Sequence, residues 1–200
     1  MVFLFRHLGT ACAVVLFLAA SVSIGLAHGG PPLRVGVTQD PLVTSVARLV
    51  LVHLREGVGF AVDWREYPDA PALRAAFAAG GIDIAVGLTD PGQLPSAPAS
   101  ADCPPESLAP LVEALRRRWG GEVFLLGFPA GSAACARPAL IVSHTVLEDL
   151  RFGILGKEST RMASFITRED VAAVRAAAGG GGERAATAAA RAALAAKTQR

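Results

Sequence analysis

Between Leu33 and Leu88 three short apolar runs alternate with two amphipathic ones, and no other stretch restricts the possible folds as strongly. Leu33–Val37 is a compact apolar run closed by turn-formers, as a buried strand requires. Pro41–Glu56 places Leu42, Val46, Leu49, Val50, His53 and Leu54 on one helical face. Phe60, Val62 and Trp64 alternate with Ala61, Asp63 and Arg65, the period of a strand with one wetter face. Asp69 is positioned to cap a helix carrying Leu73 and Phe77, and Gly80-Gly81 stops it. Ile82, Ile84, Val86 and Leu88 make a third strand. Two successive strand–helix–strand units imply a parallel sheet with right-handed crossovers. Ligands of such sheets sit beyond the carboxyl ends of the strands, here Thr38–Asp40 and Gly87–Asp90.

The residues before this core read as an address. Leu8–Leu26 is apolar and uncharged, Arg6 precedes it, and Gly25-Leu26-Ala27 has small residues at the positions a signal peptidase reads. Residues 1–27 are therefore expected to be a secretory signal peptide, with an uncleaved N-terminal membrane anchor as the other reading. The remaining chain, 28–200, is long enough for one domain with a substantial core. It holds 18 basic and 17 acidic residues, a net charge of +1. Nothing in that balance points to nucleic acid, and Arg116–Arg118, the single basic run, reads as a solvated helix face. Cys103 and Cys135 remain after cleavage. In an exported chain an even pair suggests a disulfide, against two separate thiols. His28, His53 and His144 are scattered without metal-ligand spacing, so no metal is expected.

After the third strand, Thr89–Pro105 holds five prolines and reads as a loop. Ser107–Trp119 follows as a helix with Leu108, Leu111, Val112 and Leu115 as its buried stripe. Glu122–Phe128 and Pro138–Ser143 are expected as the fourth and fifth strands. Val146, Leu147, Leu150, Phe152, Ile154 and Leu155 then supply apolar packing through a short helical stretch. Thr167 with Asp170 three residues on opens a helix containing Val171 and Val174. The Gly179–Gly182 run is expected to separate it from a final alanine-rich helix, Glu183–Lys197, docked loosely through small side chains.

LRVGVTQDPL, the amphipathic helix after it and ALRAAFAAGGIDIAVGL together resemble the first lobe of substrate-binding proteins of ABC importers, nearest to the glycine betaine/choline (osmoprotectant) class. The closing segment ITREDVAAVRAAA…GGERAATAAARAALAA is similar to the final helices of that class. The likeness covers about residues 32–90 and 138–195. It implies an α/β fold of the type II periplasmic-binding-protein kind, with a mostly parallel sheet flanked by helices. The family is bilobal, and only Thr89–Arg137 is left to form a second lobe, which would be a reduced one. The implied function is exported solute binding, with delivery of a small zwitterionic or quaternary-ammonium solute such as glycine betaine to an ABC permease in the inner membrane. The implied location is the periplasm. No cofactor is implied. A binding-protein-like sensor or protein-interaction module without a transport role is the alternative.

The candidate ligand-binding residues follow from that reading. Thr38 and Gln39 can hydrogen-bond a carboxylate, or simply form the turn before the helix. Asp40 stands where an N-cap belongs, ahead of Pro41. Thr89 and Asp90 lie at the third strand's end, as ligand contacts or as turn formers. Arg137 could pair with a ligand carboxylate or make an exposed salt bridge. Methylated cations are held on aromatic faces, and Trp64, Trp119 and Phe128 are the aromatics available for a cage, each also readable as packing. Ser143-His144 lacks an acid to complete a nucleophile–base–orienter set, and neither G-x-S-x-G nor H-E-x-x-H occurs. The chain is therefore expected to bind rather than catalyse.

Overall fold

Leu33, Val35 and Val37 point to one face of the first strand, Arg34, Gly36 and Thr38 to the other, and the rest of the chain is layered on these two faces. The computed structural model describes residues 31–89, 108–128 and 136–198. The expected leader 1–27, Asp90, Ser107, Cys103 and Cys135 fall outside them. Pro32–Arg200 forms one unit.

In chain order the elements are β1 (Leu33–Thr38), α1 (Pro41–Val52) and β2 (Val62–Tyr67). Then follow α2 (Ala70–Ala78), β3 (Ile84–Leu88), α3 (Leu108–Trp119), β4 (Gly121–Leu125) and β5 (Pro138–Ser143). The chain continues with α4 (His144–Glu148), α5 (Leu155–Phe165) and α6 (Arg168–Thr198). The sheet is open and mixed, in the order β2-β1-β3-β5-β4. β1 pairs in parallel with β2 and β3, and β5 runs antiparallel to both β3 and β4. The α/β architecture with flanking helices is as expected. The expected mostly parallel sheet is corrected to a mixed one: the reversal of β5, and its insertion between β3 and β4, could not be read from periodicity.

Side-chain alternation fills both faces. On one, Val35, Val37, Ile84, Val86, Leu140 and Val142 pack under α1, α5 and α6. On the other, Ala85, Ala139, Ile141 and Val123 meet Leu73 and Phe77 of α2 and Leu111 and Leu115 of α3. The second face is built from small residues because α2 lies close to it. A Cβ on Gly36 would come within 2.6 Å of Ile82 Cδ1 and 2.7 Å of Leu73 Cδ1. At the start of the strands, Asp83 accepts Arg34 N at 2.8 Å and Arg34 Nε at 3.0 Å, and so ties β1 to the entry of β3.

The helix ends follow local chemistry. Asp40 Oδ1 accepts from Leu42 N and Val43 N, and Asp69 Oδ1 from Ala72 N. α2 stops in a Schellman turn, with Gly80 N donating to Phe77 O, Gly81 N to Ala76 O, and Gly80 at φ 69°. Thr167 and Asp170 cap each other reciprocally at the start of α6.

Other expectations are refined by the structure. The first helix ends its α-form at Val52 and continues as a π-helical turn over His53–Val58, which shifts β2 to Val62–Tyr67. β4 is Gly121–Leu125 rather than Glu122–Phe128. As expected, the glycine run divides this last segment into two helices, and the break falls at Gly182, at φ 67° and ψ −157°. Leu150 is 96% exposed and Ile154 46%, whereas their neighbours Phe152 and Leu155 are buried. The final segment docks through Ala186 and Ala190, both fully buried, with Arg48 of α1 reaching Glu183 and Thr187. Residues 108–128, expected as material for a second lobe, instead supply α3 and the edge strand β4 of the one sheet.

Candidate functional site

β1 feeds α1 toward one edge of the sheet, and β3 lies on the other side of β1, so the strand order reverses between β1 and β3. Helices that leave such neighbouring strands to opposite faces leave a crevice at the strands' carboxyl ends. The register brings the expected residues to this edge. Thr38 follows Val37, which is level with Val86, and Leu88 is level with Pro138. Beyond that pair, Thr89 N donates to Arg137 O at 2.9 Å, and Thr89 Oγ1 accepts from Arg137 N at 2.8 Å. Thr89 and Arg137 therefore extend the β3–β5 ladder by one rung, and Thr89 is 2% exposed.

On this edge the second face of the sheet carries Gly87, which has no side chain to fill it. A Cβ built on Gly87 would meet nothing within 4 Å among the described residues, although the residue itself is buried. Thr38 and Tyr67 continue the same row on β1 and β2. Arg137 Nε is buried and makes no hydrogen bond among the described residues. An orphaned guanidinium nitrogen is costly in a protein interior and is matched by a carboxylate, whose two oxygens fit its fork. The edge can thus present one cationic donor and the Thr38 hydroxyl beside the side-chain-free Gly87.

The other expected residues behave differently. Gln39 is exposed in the turn after β1. Asp40 is engaged as the cap of α1, which favours its structural reading. Phe128 is 8% exposed and belongs to the core beneath α1. Trp64 is half-buried on β2, donates to Glu66 Oε1 at 3.2 Å and lies under the Arg48 guanidinium. Trp119 packs edge-to-face on Phe77, on the opposite face of the sheet and beside the start of β4. The three aromatics stand at separate places and do not converge into a cage. The physical reason is that each ring satisfies a local packing need, on an edge strand, at a helix end, or in the core.

A second polar assembly lies at the other end of the sheet. His53 Nε2 sits 2.8 Å from Glu158 Oε2, with both side chains largely buried, and Phe165 packs edge-to-face on the imidazole at 5.2 Å. The sequence reading had His53 on the apolar stripe of the first helix. The signal it lacked was Glu158, 105 residues away, for which no spacing rule exists. Among the described residues no group of three or more His, Cys, Asp or Glu is placed to hold a metal ion. None of the described helices is long and apolar enough to cross a membrane.

Comparison with protein-family models, with curated proteins and with solved structures returns no match to this chain.

Proposed function

We propose that this chain is the exported solute-binding component of an ABC importer. It takes a small zwitterion at the carboxyl edge of its sheet and hands it to a permease in the inner membrane. The observation that carries the reading is Arg137, whose buried Nε has no hydrogen-bond partner among the described residues, on the strand next to Gly87. A carboxylate would complete that nitrogen, and the Thr38 hydroxyl would add a neutral hydrogen bond. The chain then works by binding alone. The α/β sheet, the resemblance of 32–90 and 138–195 to the osmoprotectant-binding class, and the signal-peptide pattern of 1–27 support it. Trp64, Trp119 and Phe128 form no cage, so recognition through the carboxylate is favoured over recognition of a quaternary ammonium group.

One observation favours a second reading. With 108–128 built into the single sheet, no closing lobe is present among the described residues, as a sensor or interaction module would have it. A thermal-shift screen of the purified chain with glycine betaine, carnitine, proline and other amino acids separates the two. A ligand at a hundred times its dissociation constant stabilises by about 2.7 kcal/mol. The importer reading expects a raised Tm with at least one zwitterion, lost in Arg137→Gln. A flat screen from a cooperatively melting sample would reject it in favour of the interaction module.

A further inference from the structure

A cavity of about 580 Å³ opens between the π-helical turn after α1, the C-terminal end of α5 and the last turns of α6. It lies at the amino ends of the strands, away from Thr89 and Arg137. Its size falls in the range of small-molecule sites, and such sites combine an apolar lining with a few placed polar groups. Val52, Phe165, Leu194 and Ala195 provide the apolar lining. The π-helical turn itself is a form that recurs at functional sites. Gly57 lets this turn close over His53, because a Cβ there would stand 3.1 Å from the imidazole Nδ1.

The charges around the cavity are unequally engaged. Arg191 Nε donates to both oxygens of Glu56, at 2.8 and 2.9 Å. Lys197 Nζ is 2.8 Å from Asp170 Oδ2 and donates to Phe165 O at 2.7 Å. Arg161 is different. Its guanidinium lies over the Phe165 ring at 6.0 Å. The nearest carboxylate oxygen, Glu158 Oε2, is 3.8 Å away and is already held by His53 at 2.8 Å. Of the three cationic groups lining the cavity, the Arg161 guanidinium alone makes no hydrogen bond among the described residues. Its guanidinium is largely exposed, faces the Phe165 ring and has only the loose 3.8 Å approach to Glu158, so its planar donor fork can take a bidentate anion.

We propose that this cavity is a second binding site, for a small amphiphilic monocarboxylate: its apolar body against Phe165, Leu194 and Val52, its carboxylate on the Arg161 guanidinium. The body gains by leaving water, and a carboxylate matches the fork bidentately. A dianionic phosphate is disfavoured, because Glu56 lines the cavity, Glu158 and Asp170 stand next to its Arg161 and Lys197, and a second negative charge would meet them. The site is independent of the strand-edge reading.

Octanoate, at concentrations below micelle formation, is the probe, with octanol and octyltrimethylammonium as neutral and cationic counterparts. Calorimetric titration of the full purified chain should show octanoate binding more tightly than either counterpart. Arg161→Gln should weaken it about tenfold or more, the loss expected for one charge-assisted contact. Leu194→Trp, which fills the lining, should abolish it, and Ala195→Leu serves if that variant does not melt cooperatively. Arg137→Gln should leave octanoate binding unchanged. Absence of octanoate binding to the folded wild-type chain would overturn the proposal. So would binding indifferent to Arg161→Gln and to the filling variant, or binding lost in Arg137→Gln.

Discussion

Asp83 illustrates how one residue can be worth more than its type suggests. It is 7% exposed, and its carboxylate takes the backbone N of Arg34 together with Nε and, at 2.5 Å, Nη2 of the same residue. These hydrogen bonds hold the Arg34 guanidinium above its ordinary pKa. Asp83→Ala strands a buried backbone donor and frees a cation that is still partly hydrated. A loss of roughly 2–3 kcal/mol is expected from urea unfolding, less than for a fully buried pair. Asp149 makes a pH prediction. Hydrogen bonds from the side chain and backbone of Arg151 hold its carboxyl down to about 2. A depressed folded value stabilises the fold above the unfolded value of about 3.9 and loses that contribution as pH falls through about 2. Asp149→Asn should therefore lower the urea midpoint at pH 5, and the gap to the wild type should close between about pH 4 and pH 2. A gap that persists at pH 2 would mean the carboxylate's charge is not what Arg151 contributes.

At the scale of elements, caps and stops were the most legible features. Asp40, Asp69 and the Thr167–Asp170 box act over two to four residues, so their chemistry lies within a local window. The glycine run is legible as a helix break, and the structure puts that break at its last residue. Gly179–Gly181 continue the helical run, and only Gly182 breaks it, in a backbone region that residues with a Cβ avoid. Gly182→Ala is expected to destabilise by roughly 1–3 kcal/mol, measured by thermal melting. The buried Ala186 and Ala190 would have to leave their seats against α1 to relieve the strain. The same substitution at Gly180, which is exposed within the helical run and where a Cβ meets nothing within 4 Å, should be neutral or stabilising by up to about 1 kcal/mol. Equal losses at both positions would show that Gly182 is not the break.

Across the whole molecule the two proposed sites lie at opposite ends of one sheet. Arg137 is at the carboxyl ends of the strands, and Arg161 faces a cavity near the amino ends. Distant sites without shared partners behave additively, within about 0.5 kcal/mol. The Arg137→Gln/Arg161→Gln double variant should lose zwitterion and octanoate binding each as its own single variant does. Its loss of stability should equal the sum of the two single losses. A larger or smaller sum would show that the sheet couples its two ends. At this scale the sequence reading was least complete. The candidate edge is legible because strand ends can be counted, and Thr89 and Arg137 stand out because they flank strands. Their direct pairing required β5 to return antiparallel beside β3, which depends on contacts about fifty residues apart.

The sequence by itself determined the elements whose causes are local. Val and Leu spacing on β1 and α1, the aspartate caps, and the Thr–Asp box needed only a few neighbouring residues. The tertiary structure alone decided the order and direction of the strands, the joining of 108–128 to the same sheet, the His53–Glu158 pair, and the dispersal of Trp64, Trp119 and Phe128. Each of these is set by which distant surfaces bury against one another. Apolar burial is non-directional, so periodicity reports that a face is buried and does not name its partner.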